Sequence, residues 1–215
     1  MEFQELESVE EVVQRFKEEY SDEVYVLGAG AIPEFREKNL FILEKKEYWT
    51  EKDGVTEISY QNVGGAVEEG ETPLEACRRE AEEELDCGIE IKDSEKTFFI
   101  SEDGERKEIE LGSGKRPVMI SKEKHPGKPG RPEAEGEFHL LGFLYRGRLE
   151  GKFRPSSEIA GCMVAEKSFI QNNKEFTIKR IKEEPVEIIE NYSIPENSYL
   201  YPKFSAKRQL ETLGI

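Results

Sequence analysis

Histidine, cysteine and tryptophan are scarce in this chain of 215 residues, at two, three and one copies. His125 and His139 are too few for a histidine-rich metal centre, and Cys77, Cys87 and Cys162 form no CxxC pair. Neither a disulfide framework nor a structural zinc site is therefore indicated. Positive charge is in deficit too: 31 Lys and Arg stand against 47 Asp and Glu, a formal net charge of −16. Such a surface repels phosphate backbones at long range, so no polynucleotide partner is expected. No apolar run nears the roughly 18 residues of a membrane helix, and the acidic, amphipathic start lacks a signal-peptide pattern. The expectation is a cytoplasmic protein with no membrane partner.

What is present suffices for a packed core. Hydrophobic residues make up 36% and aromatics 10%, which excludes a wholly disordered chain. The length suits one α/β unit with extensions. Val9, Val12, Val13 and Phe16 recur at helical spacing after Ser8, predicting a helix to Tyr20 that packs on the outside of the domain. Strands are expected at 24–27, 39–44 and 56–63, with turns at 28–33 and Asp53-Gly54. After a glycine turn at Gly64-Gly65, Thr72, Pro73 and Glu75 spell a capped helix start. That helix runs to Leu85, with Leu74, Cys77, Ala81 and Leu85 on its buried face. Residues 90–91 and 97–100 read as extended, whereas 101–137 lose periodicity and read as an irregular insertion. Strands return at 138–148 and 159–165, and helices at 168–173 and 205–213. The expected organisation is an N-terminal helix (1–22), a main domain (23–172) and a C-terminal extension (173–215). Aromatics in that extension suggest packing on the domain or on a homodimer partner.

Residues 65–89 read GAVEEGETPLEACRREAEEELDCGI. Glu80, Glu83 and Glu84 fall within about 100° of arc on one helix side, because i, i+3 and i+4 are neighbours. Carboxylates that close repel one another, and Mg²⁺ or Mn²⁺, hard cations that prefer oxygen, would relieve the repulsion. Arg79, four residues before Glu83, can pair with it, and Glu71 can brace Arg79. Gly64 and Gly65 allow a backbone group to approach a metal or phosphate. A solvated acidic face would explain a lone EAEEEL equally well. The wider register decides between them: Gly65, Glu71, Arg79, Glu80, Glu83 and Glu84 fall at the intervals of the signature of the Nudix hydrolases, which this segment resembles. One position departs, since the closing glycine would fall at Asp86, while a Gly-Ile pair stands at Gly88-Ile89 as if the helix exit were two residues longer.

The resemblance implies an α/β/α sandwich with a mixed sheet between helices. It also implies Mg²⁺-dependent hydrolysis of a nucleoside diphosphate derivative by metal-activated water. Glu80 and Glu84 are the implied metal ligands, with Glu83 and the Gly65 backbone. Glu83, as base or ligand, and Arg79 are the implied catalytic residues. The alternative is a catalytically inactive nucleotide-binding module. A cysteine-dependent diphosphate isomerase is disfavoured, because Cys77 lies on the buried stripe and Cys162 in a strand.

Substrate-side candidates rest on less. Between Lys115 and Arg131 six cations face one acid, so Lys124 and Lys128 are candidates for a lid closing on phosphates, with a disordered insertion as the alternative. Trp49 is a candidate to stack on a base or to fill the core, and Arg146 to bind phosphate.

Overall fold

The computed structural model describes residues 8–112, 114–127, 135–173, 175–181 and 184–212. Its elements begin with α1 (Val9–Glu19), β1 (Tyr25–Phe35), β2 (Lys38–Leu43), β3 (Thr50–Lys52), β4 (Val55–Gln61), β5 (Val63–Ala66) and α2 (Pro73–Leu85). There follow β6 (Ile89–Lys92), β7 (Thr97–Ile100), β8 (Arg106–Ile109), β9 (Met119–Pro126), β10 (Glu137–Leu149) and β11 (Gly161–Ala165). The chain continues through α3 (Lys167–Asn172), β12 (Phe176–Thr177), α4 (Ile178–Ile181), β13 (Val186–Glu190), β14 (Tyr199–Pro202) and α5 (Phe204–Thr212). The class is mixed α/β, with parallel and antiparallel strand pairs and few helices. The chain divides into two units, one of residues 1–30, 64–77 and 91–146, the other of 31–63, 78–90 and 147–215.

In the first unit the strand order is β1, β10, β9, β7, β8. β9 runs antiparallel to β10 and parallel to β7, and β8 returns antiparallel to β7. Two expectations fail here. The glycines of β1 lie within a strand rather than a turn, because β5 presses against it: a Cβ on Gly64 would sit 2.4 Å from the Ala29 carbonyl oxygen. Glycine there permits close backbone approach, not chain reversal. The supposed irregular insertion carries β8 and β9, and β9 pairs with β10 over eight residues. Its second half, KEKHP, is held by backbone hydrogen bonds to β10, the next strand, and these leave no periodic trace in composition.

Helix α1 buries one face and exposes the other. Ser8 caps it by accepting from the Glu11 amide (3.3 Å), and Val12 and Phe16 are fully buried. Tyr20 stacks on buried His139 at 3.9 Å between ring centroids. The two ring nitrogens of His139 face Glu23 (2.9 Å) and Glu102 (3.3 Å), and Lys122 pairs with Glu19 at 2.7 Å.

In the second unit β2 is central, pairing antiparallel with β11 from Leu43↔Gly161 to Asn39↔Ala165 and, on its other side, with β1 at its start and β4 at its end. A strand flanked on both edges reads as a continuous apolar run, and Leu40, Phe41, Ile42 and Leu43 are all buried. Asp53 and Gly54, at φ +51° and +76°, form the expected tight hairpin from β3 to β4. The β1–β2 hairpin turns through Arg36 and Glu37, also at positive φ, a turn with no glycine to announce it. The C-terminal extension is part of this unit. β14 pairs parallel with β4, β13 pairs with β11, and Ile194, Leu200, Ala206 and Leu210 share one core with Phe41, Ile58 and Tyr60. Of the extension's aromatics, Phe176 lies in that core, while Tyr192 is exposed.

Candidate active site

Helix α2 begins as its sequence dictates. Thr72 Oγ1 accepts from the Glu75 amide (3.3 Å), and Glu75 Oε2 accepts from the Thr72 amide (2.9 Å), a reciprocal capping box. Just before it, Glu71 Oε2 accepts from the Glu68 amide at 3.0 Å and fixes the turn. Cys77, Ala81 and Leu85 are fully buried on one side, as the spacing requires, while Leu74 is half-buried.

The helix ends at Leu85, as expected, and in the exit Asp86 takes φ +50°, the left-handed conformation a glycine would supply at that place. Gly88 serves a different purpose, since a Cβ there would lie 2.6 Å from Glu150 Oε2. The last carbonyls of the helix are satisfied by the segment before β11. The Arg154 amide donates to the Leu85 oxygen and the Ser156 amide to the Glu84 oxygen, both at 2.9 Å.

On the last two turns, Arg79 Nη1 donates to Glu80 Oε1 (2.7 Å) and Glu83 Oε2 (3.0 Å). The three carboxylates do not converge as the arc suggested. The Glu83 side chain is 52% exposed and Glu80 14%, whereas Glu84 is 9% exposed. Among the described residues, no three His, Cys, Asp or Glu side chains are gathered in a metal-holding cluster. The reason is local: adjacent positions diverge by about 100°, and the guanidinium draws Glu80 and Glu83 toward itself. The donor chemistry nonetheless fits a hard divalent ion. All three groups offer oxygen alone, and a nearby cation would offset the cost of a carboxylate as buried as Glu84.

The model of the NUDIX domain matches residues 24–181. The chain belongs to the Nudix family. Nudix proteins of known structure share its fold at low identity. A Nudix hydrolase of Nitrosomonas europaea is 17% identical, with 67% of this chain and 59% of that one covered and a TM-score of 0.39. A Nudix-family hydrolase of Clostridium perfringens is also 17% identical, covering 68% and 85%, with a TM-score of 0.45. An ADP-ribose pyrophosphatase of Streptococcus suis is 15% identical, covering 66% and 75%, with a TM-score of 0.37. These likenesses are too distant to argue for a substrate. No protein of curated function matches the chain.

Membership makes this chain a hydrolase of phosphoanhydride bonds. The six signature positions lie on β5, the turn after it and α2, with Gly65 half-buried in β5. The substrate-side residues fare differently. Trp49 packs against the core of the second unit and donates its indole N–H to the Glu44 carbonyl (2.7 Å), so its ring belongs to packing. Lys124 sits on β9, paired with Glu137 at 2.7 Å, not on a mobile loop. The neighbouring cations are engaged as well, Arg116 with Asp93 and Lys122 with Glu19. Lys128 lies outside the described residues. Arg146 is half-buried on β10.

One further candidate escaped the sequence reading. In the first unit Lys17, Tyr25, Val26, Leu27 and residues 67–71 line a cleft of about 580 Å³. Lys17 is exposed on α1, and only the packing of α1 beside β1 brings it to the 67–71 turn. The cysteines gain no catalytic character. All three are buried, and burial pushes the Cys162 thiol far above its ordinary range, with the Glu84 charge adding to it. Burial likewise raises Cys87.

Among the described residues, no helix is long and apolar enough to cross a membrane.

Proposed function

We propose that this Nudix hydrolase cleaves the diphosphate linkage of a small nucleoside diphosphate derivative, with Mg²⁺, or Mn²⁺ in its place, as the cofactor. The observation that carries the reading is the arrangement on the last turns of α2, where one guanidinium holds Glu80 and Glu83 while Glu84 is nearly buried. Glu80 and Glu84 would hold the ion. Bound there, a divalent ion supplies charge neutralisation on the diphosphate and acidifies a water. Arg79 fixes the rotamers of its two carboxylate neighbours, so that less ordering remains to be done when substrate arrives. Glu83, the most exposed of the three, accepts the water's proton on Oε1, since Oε2 faces Arg79. The reading places the enzyme in the cytoplasm.

Glu84→Gln tests it. The substitution keeps size and helix propensity but removes the charge. Hydrolysis should fall about a hundredfold, equivalent to roughly 3 kcal/mol of transition-state stabilisation. Mg²⁺ should raise the melting temperature of wild type more than that of the variant. Turnover should be followed by phosphate release across nucleotide sugars, ADP-ribose, dinucleoside polyphosphates, NADH and nucleoside triphosphates. Equal turnover and equal Mg²⁺ shifts in both proteins would reduce α2 to a solvated acidic helix.

A further inference from the structure

The segment that satisfies the end of α2 is itself held from the C-terminal extension, beyond the stretch that the NUDIX domain model matches. Asn191 directly follows β13. Its Nδ2 donates to the Ser156 carbonyl (2.6 Å) and the Ile159 carbonyl (3.1 Å), and its own amide donates to the Ala160 oxygen (2.8 Å). Tyr192 adds a hydroxyl bond to the Ser157 carbonyl at 3.3 Å. Inside the turn, Ser156 Oγ accepts from the Glu158 amide (3.1 Å), while Lys45 pairs with the Glu158 carboxylate (3.3 Å). The Ser156 amide in turn donates to the Glu84 carbonyl. An unbroken run of hydrogen bonds within the second unit therefore leads from the Asn191 side chain to the backbone of the carboxylate residue.

Two features mark this as construction rather than incidental contact. The approach of β13 depends on Gly161, where a Cβ would sit 2.5 Å from the Ile189 carbonyl oxygen, so β11 begins with the residue that admits β13 at that distance. Further, α2 ends without a glycine cap, and its last two carbonyls depend on the 154–156 amides. A helix end held by a separate segment is only as fixed as that segment. A side chain that donates to two carbonyls of one turn locks its shape, as a single donor would not.

We infer that Asn191 is a positioning residue: it fixes the 156–159 turn, and through it the last turn of α2, so that the Glu84 carboxylate is held in the orientation in which it binds a divalent cation. The inference rests on the proposed role of Glu84. It makes the C-terminal extension a working part of the site rather than an appendage.

The test compares wild type with Asn191→Ala and Asn191→Asp, neither of which can donate to the two carbonyls, and with Tyr192→Phe as the milder case. Three quantities are read on the full chain: Mn²⁺ affinity by calorimetry without substrate, hydrogen exchange of the 152–160 segment, and kcat against KM for the best substrate. Both Asn191 variants should bind Mn²⁺ about fivefold more weakly and lose exchange protection at 154–156. Their kcat should fall about tenfold with KM changed less than twofold, and Tyr192→Phe should fall between. Wild-type Mn²⁺ affinity in the Asn191 variants overturns the inference and leaves the functional reading standing. A wild-type chain that neither binds Mn²⁺ nor hydrolyses any substrate overturns both. If Asn191→Ala lowers the melting temperature, the same measurements are made with Gln209→Leu added to restore it. Recovery of affinity and kcat along with stability would show a merely structural role and overturn the inference.

Discussion

At the scale of single residues, Asp86 illustrates how a signature can be kept in conformation while its chemistry changes. The position after α2 requires φ near +50°, which costs an ordinary L-residue roughly 1–2 kcal/mol and Asp somewhat less. Asp86→Gly should therefore stabilise the chain by about 0.5–1 kcal/mol after allowing for the greater freedom of glycine in the unfolded state. Urea unfolding at neutral pH measures this, and an unchanged or lowered midpoint would mean that Asp86 makes a compensating contact. Gln209 offers the converse lesson. It is fully buried on α5 and neither amide atom has a hydrogen-bond partner, so Gln209→Leu is a stabilising change by about 1–3 kcal/mol, which is why it serves as the rescuing background above.

At the scale of elements, the legible parts were those built from local chemistry. The start of α2 could be read because Thr72 and Glu75 satisfy each other across three residues, and β7 because Thr97, Phe99 and Ile100 are buried together. The β8–β9 region could not, because half of β9 is polar and its pairing is made by backbone hydrogen bonds that composition does not show. For the same reason Lys124 looked available until the register set His139 opposite it and brought Glu137 within reach. Helical spacing shows which of the α2 carboxylates share a side, but not that Arg79 bonds both Glu80 and Glu83. Asp93 and Arg116 are another pairing made only by folding. Arg116 grips the Asp93 carboxylate with Nε (3.1 Å) and Nη2 (2.6 Å) and donates its amide as well (2.9 Å). The side-chain bond and the amide hold that carboxyl down to about 2. A depressed carboxyl contributes stability above its unfolded value near 4 and loses it as pH falls toward 2. Because both side chains are about a third or more exposed, solvent screens the pair and its contribution is small. Arg116→Ala should lower the urea midpoint at pH 6 and lower it less at pH 3. A cost that does not vary with pH would assign it to packing of the arginine stem instead.

At the scale of the whole molecule, the second unit closes only with its last elements. Deleting residues 185–215 removes Ile194, Leu200, Ala206 and Leu210 from the core shared with Phe41 and Tyr60. At about 1.5–3 kcal/mol for each large apolar side chain, the loss is on the order of 5 kcal/mol, comparable to the entire stability of a domain. The truncated chain should lose the near-ultraviolet signal of Trp49, which packs against that core, and a native-like signal would show the unit to be self-sufficient without its extension. The parallel pairing of β14 with β4 also orders events during synthesis. Ile58 meets Leu200 only after some 140 intervening residues have been made, and a parallel partner cannot be replaced by a local hairpin. Until then one edge of β4 and the apolar face around Tyr60 wait uncovered at the ribosome, so the nascent chain passes most of its translation with its stickiest surface open to chaperones and to neighbouring nascent chains.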